Sequence, residues 1–223
     1  MTNMYKTIGT LAVISGLFAI MPDASGKAVT YIVDDPKGRD SVSFTSDAPV
    51  ELIVGKTNKI KGNVVLDDSF DLSKPPLEAS FDVDLASIDT GIALRNEHMR
   101  DNFLETAKFP KATFKVKSIS ATPNVLKDRQ RVTVKAQGDF TVHGITVAKS
   151  VPVDVTYFKN CPATQSKFEN CDLIQIKSTF PVPFKDHKIK RPEIVFQKLA
   201  DTVFVTIAAT ARKEVTPAKA SAK

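Results

Sequence analysis

Tryptophan is absent from the 223 residues, cysteine occurs twice, histidine three times and glycine nine times. Most of these scarcities remove a class of chemistry. With so few glycines, no phosphate-cradling loop is assembled. No serine sits in a glycine-flanked elbow, so a serine hydrolase is not supported. His98, His143 and His187 fall on separate segments. No two of them stand four apart on a helix, and no second ligand type is spaced to complete a zinc site, so no metal is expected. Cys161 and Cys171, in NCPATQSKFENC, are not a C-x-x-C redox pair. In an oxidising compartment they read as one structural disulfide closing a loop between neighbouring strands, worth roughly 2–3 kcal/mol. No catalytic residue and no cofactor emerges from these counts.

A strong excess of one charge is also missing. The 31 basic and 25 acidic side chains leave a net charge of +6, and the lysines mostly alternate with acids along the chain. That is a mixed solvated surface rather than a nucleic-acid footprint, which would cluster its basic groups. The densest basic run is Lys185-Asp186-His187-Lys188-Ile189-Lys190-Arg191. It reads either as a solvated loop or as a contact for anionic lipid headgroups or a diphosphate, which allows transient membrane-surface contact. Nothing repeats at a fixed period. With 42% hydrophobic and 25% charged residues, the chain suits one sizeable globular domain. Nothing in it points to a particular oligomeric state.

The longest apolar run, Ile8–Met21, lies near the start, with Lys6 the only charge before it and small residues at Ala24-Ser25-Gly26 and Ala28 after it. It is short for a membrane span and has export-type flanks. Residues 1–28 are therefore expected to be a cleaved signal peptide, cut after Gly26 or Ala28, with an uncleaved anchor as the alternative. No cysteine stands at that junction, against a lipid-anchored form. The protein is expected in the periplasm or secreted. Residues 216–223 form a small, basic, apolar-poor tail expected to be disordered.

What the chain does contain is alternation. Phe81, Val83 and Leu85 stand against Asp82 and Asp84; Phe114, Val116 and Ile119 stand against Lys115 and Lys117. Similar segments run over Val29–Asp34, Ser41–Thr45, Glu51–Val54, Lys59–Leu66, Glu78–Leu85 and Thr113–Ile119, then Arg131–Thr141, Ile145–Phe158, Cys171–Phe180 and Asp201–Ala209. Alternation of this kind marks strands with one wet and one dry face. One break occurs, between Ala86 and Phe114. Asp89 and Thr90 are good N-caps there, and Ile92, Met99 and Phe103 recur at helical spacing until Phe109-Pro110 ends the segment. Many short strands with one helix make an all-β fold, a sandwich or a barrel.

The break also carries a resemblance. Ser87-Ile88-Asp89-Thr90, Arg95, His98-Met99-Arg100, Asn102-Phe103, Phe109-Pro110 and Ala112-Thr113-Phe114 follow the order of the YceI-like family, the polyisoprenoid-binding lipocalin-like proteins. Gly138-Asp139-Phe140-Thr141-Val142-His143-Gly144-Ile145-Thr146 is similar to a second block of that family. Ile189-Lys190-Arg191-Pro192 with Ala200-Asp201-Thr202-Val203 resembles a third. The chain departs from the pattern in the first hairpin, where Ser41–Asp47 holds no histidine, and in the added Cys161–Cys171 loop and longer C-terminal part.

The resemblance implies a closed antiparallel lipocalin-like barrel of about eight strands over residues 29–215, with one helix near its mouth. Eight strands enclose just enough room for side chains or one slim ligand. Phe44, Phe81, Val83, Met99, Phe103, Phe114, Val116, Val134, Phe140, Val153 and Val205 would line the interior, and Arg95, His98, Arg100 and His143 would meet a headgroup at the mouth. From the residues alone, His98 and His143 read first as hydrogen-bonded structural histidines. The implied function is an exported, non-enzymatic carrier or store for an isoprenoid lipid (a polyprenyl or quinone-type chain). The competing readings are an enzyme acting on a hydrophobic substrate, and a solid-cored structural or inhibitory module working through its surface loops.

Overall fold

A computed structural model describes residues 27–75, 77–162, 171–190 and 198–214. The 216–223 tail, Arg191-Pro192 and nearly all of the expected signal segment lie outside the described residues. Each of the ten alternating segments forms a strand: β1 (Ala28–Val33), β2 (Ser41–Asp47), β3 (Leu52–Thr57), β4 (Ile60–Asp67), β5 (Glu78–Asp84), β6 (Lys111–Ala121), β7 (Arg131–Val142), β8 (Ile145–Cys161), β9 (Cys171–Pro183) and β10 (Thr202–Lys213). The order β1-β4-β5-β6-β7-β8-β9-β10 returns to β1, so eight antiparallel strands close a barrel.

Closure is shared. Only the end of β10 reaches β1, through Tyr31↔Lys213 and Ile32↔Arg212. Higher up, the same edge of β10 pairs with β2, from Ala208↔Ser41 to Phe204↔Thr45. The β2–β3 hairpin is thus a wedge that fills the gap β1 leaves, and it widens the barrel at one end. Its far edge is tied down by two 2.9 Å backbone bonds between Lys56 and Asp89.

The narrow end is sealed. Phe70 stacks on Tyr157 at 4.2 Å and meets Tyr31 edge-on at 6.5 Å. The β4–β5 and β6–β7 connections cross beneath, joined by Leu72 N–H to Asn124 O (2.8 Å) and Leu126 N–H to Phe70 O (3.0 Å). Tyr31, Leu66, Leu72, Leu126 and Ile174 belong to the buried cluster at this end, while Leu85, Met99, Phe140, Phe180 and Val203 belong to a second one beneath the helix.

Two local features follow from particular residues. Gly138 stands where β6 shifts register between Val116 and Ser118, and a Cβ there would lie 2.2 Å from Lys115 O. Only glycine lets the two backbones approach so closely. His143 and Gly144 both have positive φ (53° and 72°), which gives β7 and β8 the tight two-residue turn of a hairpin. Proline explains a third feature. The β8–β9 ladder runs from Cys161↔Cys171 to Val153↔Ser178, beyond which lie Pro152 on one strand and Pro181 and Pro183 on the other. The ladder ends where residues that lack an N–H begin. The 3-10 turn Phe184–His187 packs against β8 at that opening.

The helix is shorter than its spacing suggests. α1 covers Ala93–His98 and continues as one π turn over Met99–Phe103. Ile92, not Asp89 or Thr90, holds the N-cap position, with no side-chain cap. Asp89 and Thr90 are occupied elsewhere, as described below. Cys161 and Cys171 face each other as register partners on β8 and β9, and no disulfide joins them in the structure.

Candidate functional site

Inside the barrel lies a cavity of about 610 Å³ that runs from the helix end down to Leu72 and Leu126. All of the side chains expected to line the interior, from Phe44 to Val205, border it. They do so because strand parity sends every second residue inward: on β7, Val132, Val134, Ala136, Phe140 and Val142 are buried while their neighbours are wetter.

Cross-strand register then sorts them into rows. Phe81 pairs with Phe114 and Phe114 with Phe140, so three phenylalanines occupy one row across β5, β6 and β7. The row is extended by Gly62, which pairs with Phe81 and whose missing side chain leaves room for the ring. Phe44 lies against Gly55 on the next strand in the same manner. Aromatic rings beside bare glycines cover the wall without filling the lumen. This pairing depends on register, which alternation within one strand does not reveal.

The mouth is polar and already knitted together. Arg95 ion-pairs with Glu51 on the β2–β3 hairpin. It also donates to Thr90 Oγ1 at 3.0 Å and to Thr90 O at 3.1 Å. Asn96 accepts from both the backbone and the hydroxyl of Thr90 (2.8 and 2.7 Å) and donates to Asp89 (2.6 Å). Asp89 further accepts from Gly91 N–H, and that bond, with Asn96 second, holds its carboxyl below the usual range. Ser87 bonds Thr57 on β3 at 2.6 Å. The polar residues of the Ser-Ile-Asp-Thr segment therefore fasten α1 and the hairpin to the barrel rim.

The four residues expected at the mouth separate. Arg95 and His98 border the cavity, and His98 is exposed there. Arg100, on the π turn, does not border it. Neither does His143, which is spent on structure: its Nδ1 meets His187 O at 3.1 Å, its Nε2 meets Glu105 at 2.9 Å, and its ring packs edge-on against Phe109. For His143 the structural reading, open from the sequence, is the one the geometry supports.

Two further groups lie near the second cluster. Lys149 has the inward parity of Val147 and Val151, and its ammonium lies 5.8 Å from the Phe140 ring centre and 5.9 Å from that of Phe180. Burial pushes it below an ordinary lysine pKa. Its parity could have marked it in the sequence. His187 is fully buried, with Nδ1 3.1 Å from Ile145 O, and burial likewise lowers its pKa. Among the described residues, no three His, Cys, Asp or Glu side chains converge as metal ligands would.

A closed antiparallel barrel with a wedge hairpin, a lid helix and an apolar lumen is a lipocalin-like fold. The chain belongs to the YceI-like family, whose domain pattern matches residues 31–211. A UPF0312 protein of Shewanella oneidensis is 30% identical over 146 residues, which span 64% of this chain and 69% of that one. Another, from Pseudomonas fluorescens, is 31% identical over 156 residues, spanning 68% and 73%. Among solved structures, a polyisoprenoid binding domain from Saccharophagus degradans, implicated in plant cell wall breakdown, has a TM-score of 0.63 at 20% identity over 82% of this chain and 98% of that one. BcnA of Burkholderia cenocepacia has a TM-score of 0.59 at 20% identity, over 80% and 98%. At these identities the two structures share the fold.

Proposed function

We propose that the protein is an exported, non-enzymatic lipid-binding barrel that holds one long-chain isoprenoid in its lumen. One observation carries the reading: a cavity of about 610 Å³, within the range of small-molecule sites, lined almost throughout by Val, Ile, Leu and Phe and bordered by charged groups only near the helix end. Each buried CH₂ contributes about 0.8 kcal/mol, so ten such groups give roughly 8 kcal/mol before the costs of binding. A charged headgroup contact adds only roughly 1.5–3 kcal/mol. The chain thus dominates affinity, and the mouth orients and selects.

Of the four residues expected at the mouth, His98 borders the cavity and is exposed to a headgroup, while Arg95 reaches one only by sharing donors already bonded to Glu51 and Thr90. The neighbour from Saccharophagus degradans, described as a polyisoprenoid binding domain, supports the ligand class. Export rests on the Ile8–Met21 run and the small residues after it. It implies an oxidising compartment, in which the facing Cys161 and Cys171 would join. A solid-cored module acting through its loops would have no use for such a cavity.

The reading is tested by extracting the purified protein with organic solvent and identifying any lipid that comes with it. Co-purified isoprenoid supports it. An empty protein that also takes up no long-chain isoprenoid when offered one overturns it.

A further inference from the structure

The rim of the cavity carries apolar side chains that nothing in the fold covers. Val50 and Leu52 on the hairpin are each 62% exposed, and Ile92 and Leu94 beside α1 are 50% and 60% exposed. Glu51, between Val50 and Leu52, ion-pairs with Arg95 of α1, so the two groups stand on adjoining elements at the mouth. Ile92 and Leu94 also border the cavity, which makes this outer apolar surface continuous with the lumen.

A second observation lies across the same mouth. Lys185 and Lys188, in and after the Phe184–His187 turn, and Lys198, which borders the cavity, are all exposed. Ala200 N–H bonds Ser46 Oγ at 2.9 Å, which sets this basic segment directly beside β2. Asp186 and Asp201 are exposed acids among them.

From these two features we infer that the open end of the barrel docks on an anionic phospholipid surface, inserting Val50, Leu52, Ile92 and Leu94 while Lys185, Lys188 and Lys198 meet the headgroups. The proposal rests on the reading of the lumen as a lipid site, since it gives an apolar chain a dry path between bilayer and cavity. A bilayer suits this face better than a peptide does. The apolar side chains stand on a hairpin tip and a helix start rather than in a groove, and lysines across the same mouth from exposed apolar groups match the boundary between headgroups and acyl chains.

Sedimentation of the full chain with vesicles tests it, using phosphatidylcholine alone and phosphatidylcholine mixed with phosphatidylglycerol. Val50 and Leu52 lie outside the cavity lining, so Val50→Asp/Leu52→Asp leaves the lumen intact. Binding is expected on the anionic vesicles, reduced at least about 10-fold by that pair of changes because charge replaces inserted apolar surface. Lys185→Glu/Lys188→Glu is expected to reduce it comparably. So is raising salt from about 0.1 M to about 1 M, which shortens the screening length from about 10 Å to about 3 Å. Native mass spectrometry of the same variants reads retained lipid separately. A wild type that retains isoprenoid but ignores both kinds of vesicle overturns the docking and leaves the lumen reading intact. A wild type that sediments with anionic vesicles yet never holds isoprenoid supports the docking and overturns the lumen reading. Variants that sediment as well as wild type overturn the docking outright.

Discussion

Arg95 and Glu51 form an ion pair across the mouth of the barrel, joining the lid helix to the hairpin that closes the barrel's wide end. The Arg95 side chain is about a quarter exposed and that of Glu51 somewhat more, so the charge attraction itself is well screened and worth about 0–1 kcal/mol. The two bonds from Arg95 to Thr90 add a similar amount each.

Arg95→Ala is therefore expected to cost about 1–2 kcal/mol and Glu51→Ala less than about 1 kcal/mol, read from urea midpoints at unchanged slope. Both should speed loss of bound lipid, because the helix and hairpin part more easily. Equal and large losses of stability from the two changes would mean that the pair acts as a buried unit.

Gly138→Ala is expected to destabilise the barrel by about 3 kcal/mol or more, since a Cβ would stand 2.2 Å from a backbone oxygen of β6 that cannot swing aside. Gly91→Ala meets no atom within 4 Å and bears only the strain of its positive φ of 79°, about 1 kcal/mol. Chemical denaturation of the two variants side by side checks the order. If Gly91→Ala is the worse, the close approach at Gly138 does not govern the register shift.

Alternation was enough to mark all ten strands and the inward side of each lining residue on them, because a strand's parity is local, whereas Met99 and Phe103 came from helical spacing and the closed barrel from the family resemblance. What it left open depended on partners. That β2 and β3 wedge between β10 and Asp89, and that Phe81, Phe114 and Phe140 form one row, follows from register across strands. Asp89 and Thr90 looked like helix caps but bond Asn96, Gly91 and the hairpin, so α1 begins at Ala93 without a side-chain cap. His143 kept two readings in the sequence, since only folding brings Glu105 and the carbonyl of His187 to its ring.

Acid should weaken the fold through His187. Burial, reinforced by the charge of Lys149, holds its imidazole below the ordinary value of about 6.5, while the backbone carbonyl of Ile145 acts the other way. A depressed folded-state pKa means that the unfolded chain binds the proton more readily. Its stabilising effect is complete above about pH 6.5 and is lost as pH falls toward the folded-state value. Glu105, held low first by Lys108 and then by His143, adds a further loss in the carboxylate range. Melting temperatures at about pH 7.5 and pH 5.5 should drop for wild type and much less for His187→Gln. An equal drop in both would remove His187 as the cause.

Exported protein should carry no free thiol, since Cys161 and Cys171 are register partners across β8 and β9. Intact mass after alkylation without reductant reads this directly. Closing the loop is worth roughly 2–3 kcal/mol, so reduction should lower the denaturation midpoint accordingly. If both cysteines label in the folded, exported protein, the bond does not form and that contribution lapses.

Whether the lumen holds a lipid chain is read most directly by native mass spectrometry of wild type and Val134→Asp. Val134 borders the cavity and is 2% exposed, so a carboxylate there removes apolar lining where the chain would lie. Circular dichroism selects preparations in which the variant remains folded, and Phe114→Asp serves if Val134→Asp does not fold. The expected result is one isoprenoid chain bound per wild-type protein and none on the folded interior variant, with His98→Ala losing only part and accepting more kinds of headgroup. The contradicting result is a folded interior variant that retains lipid as well as wild type while His98→Ala loses all of it, because the binding energy would then lie at the mouth and not along the chain.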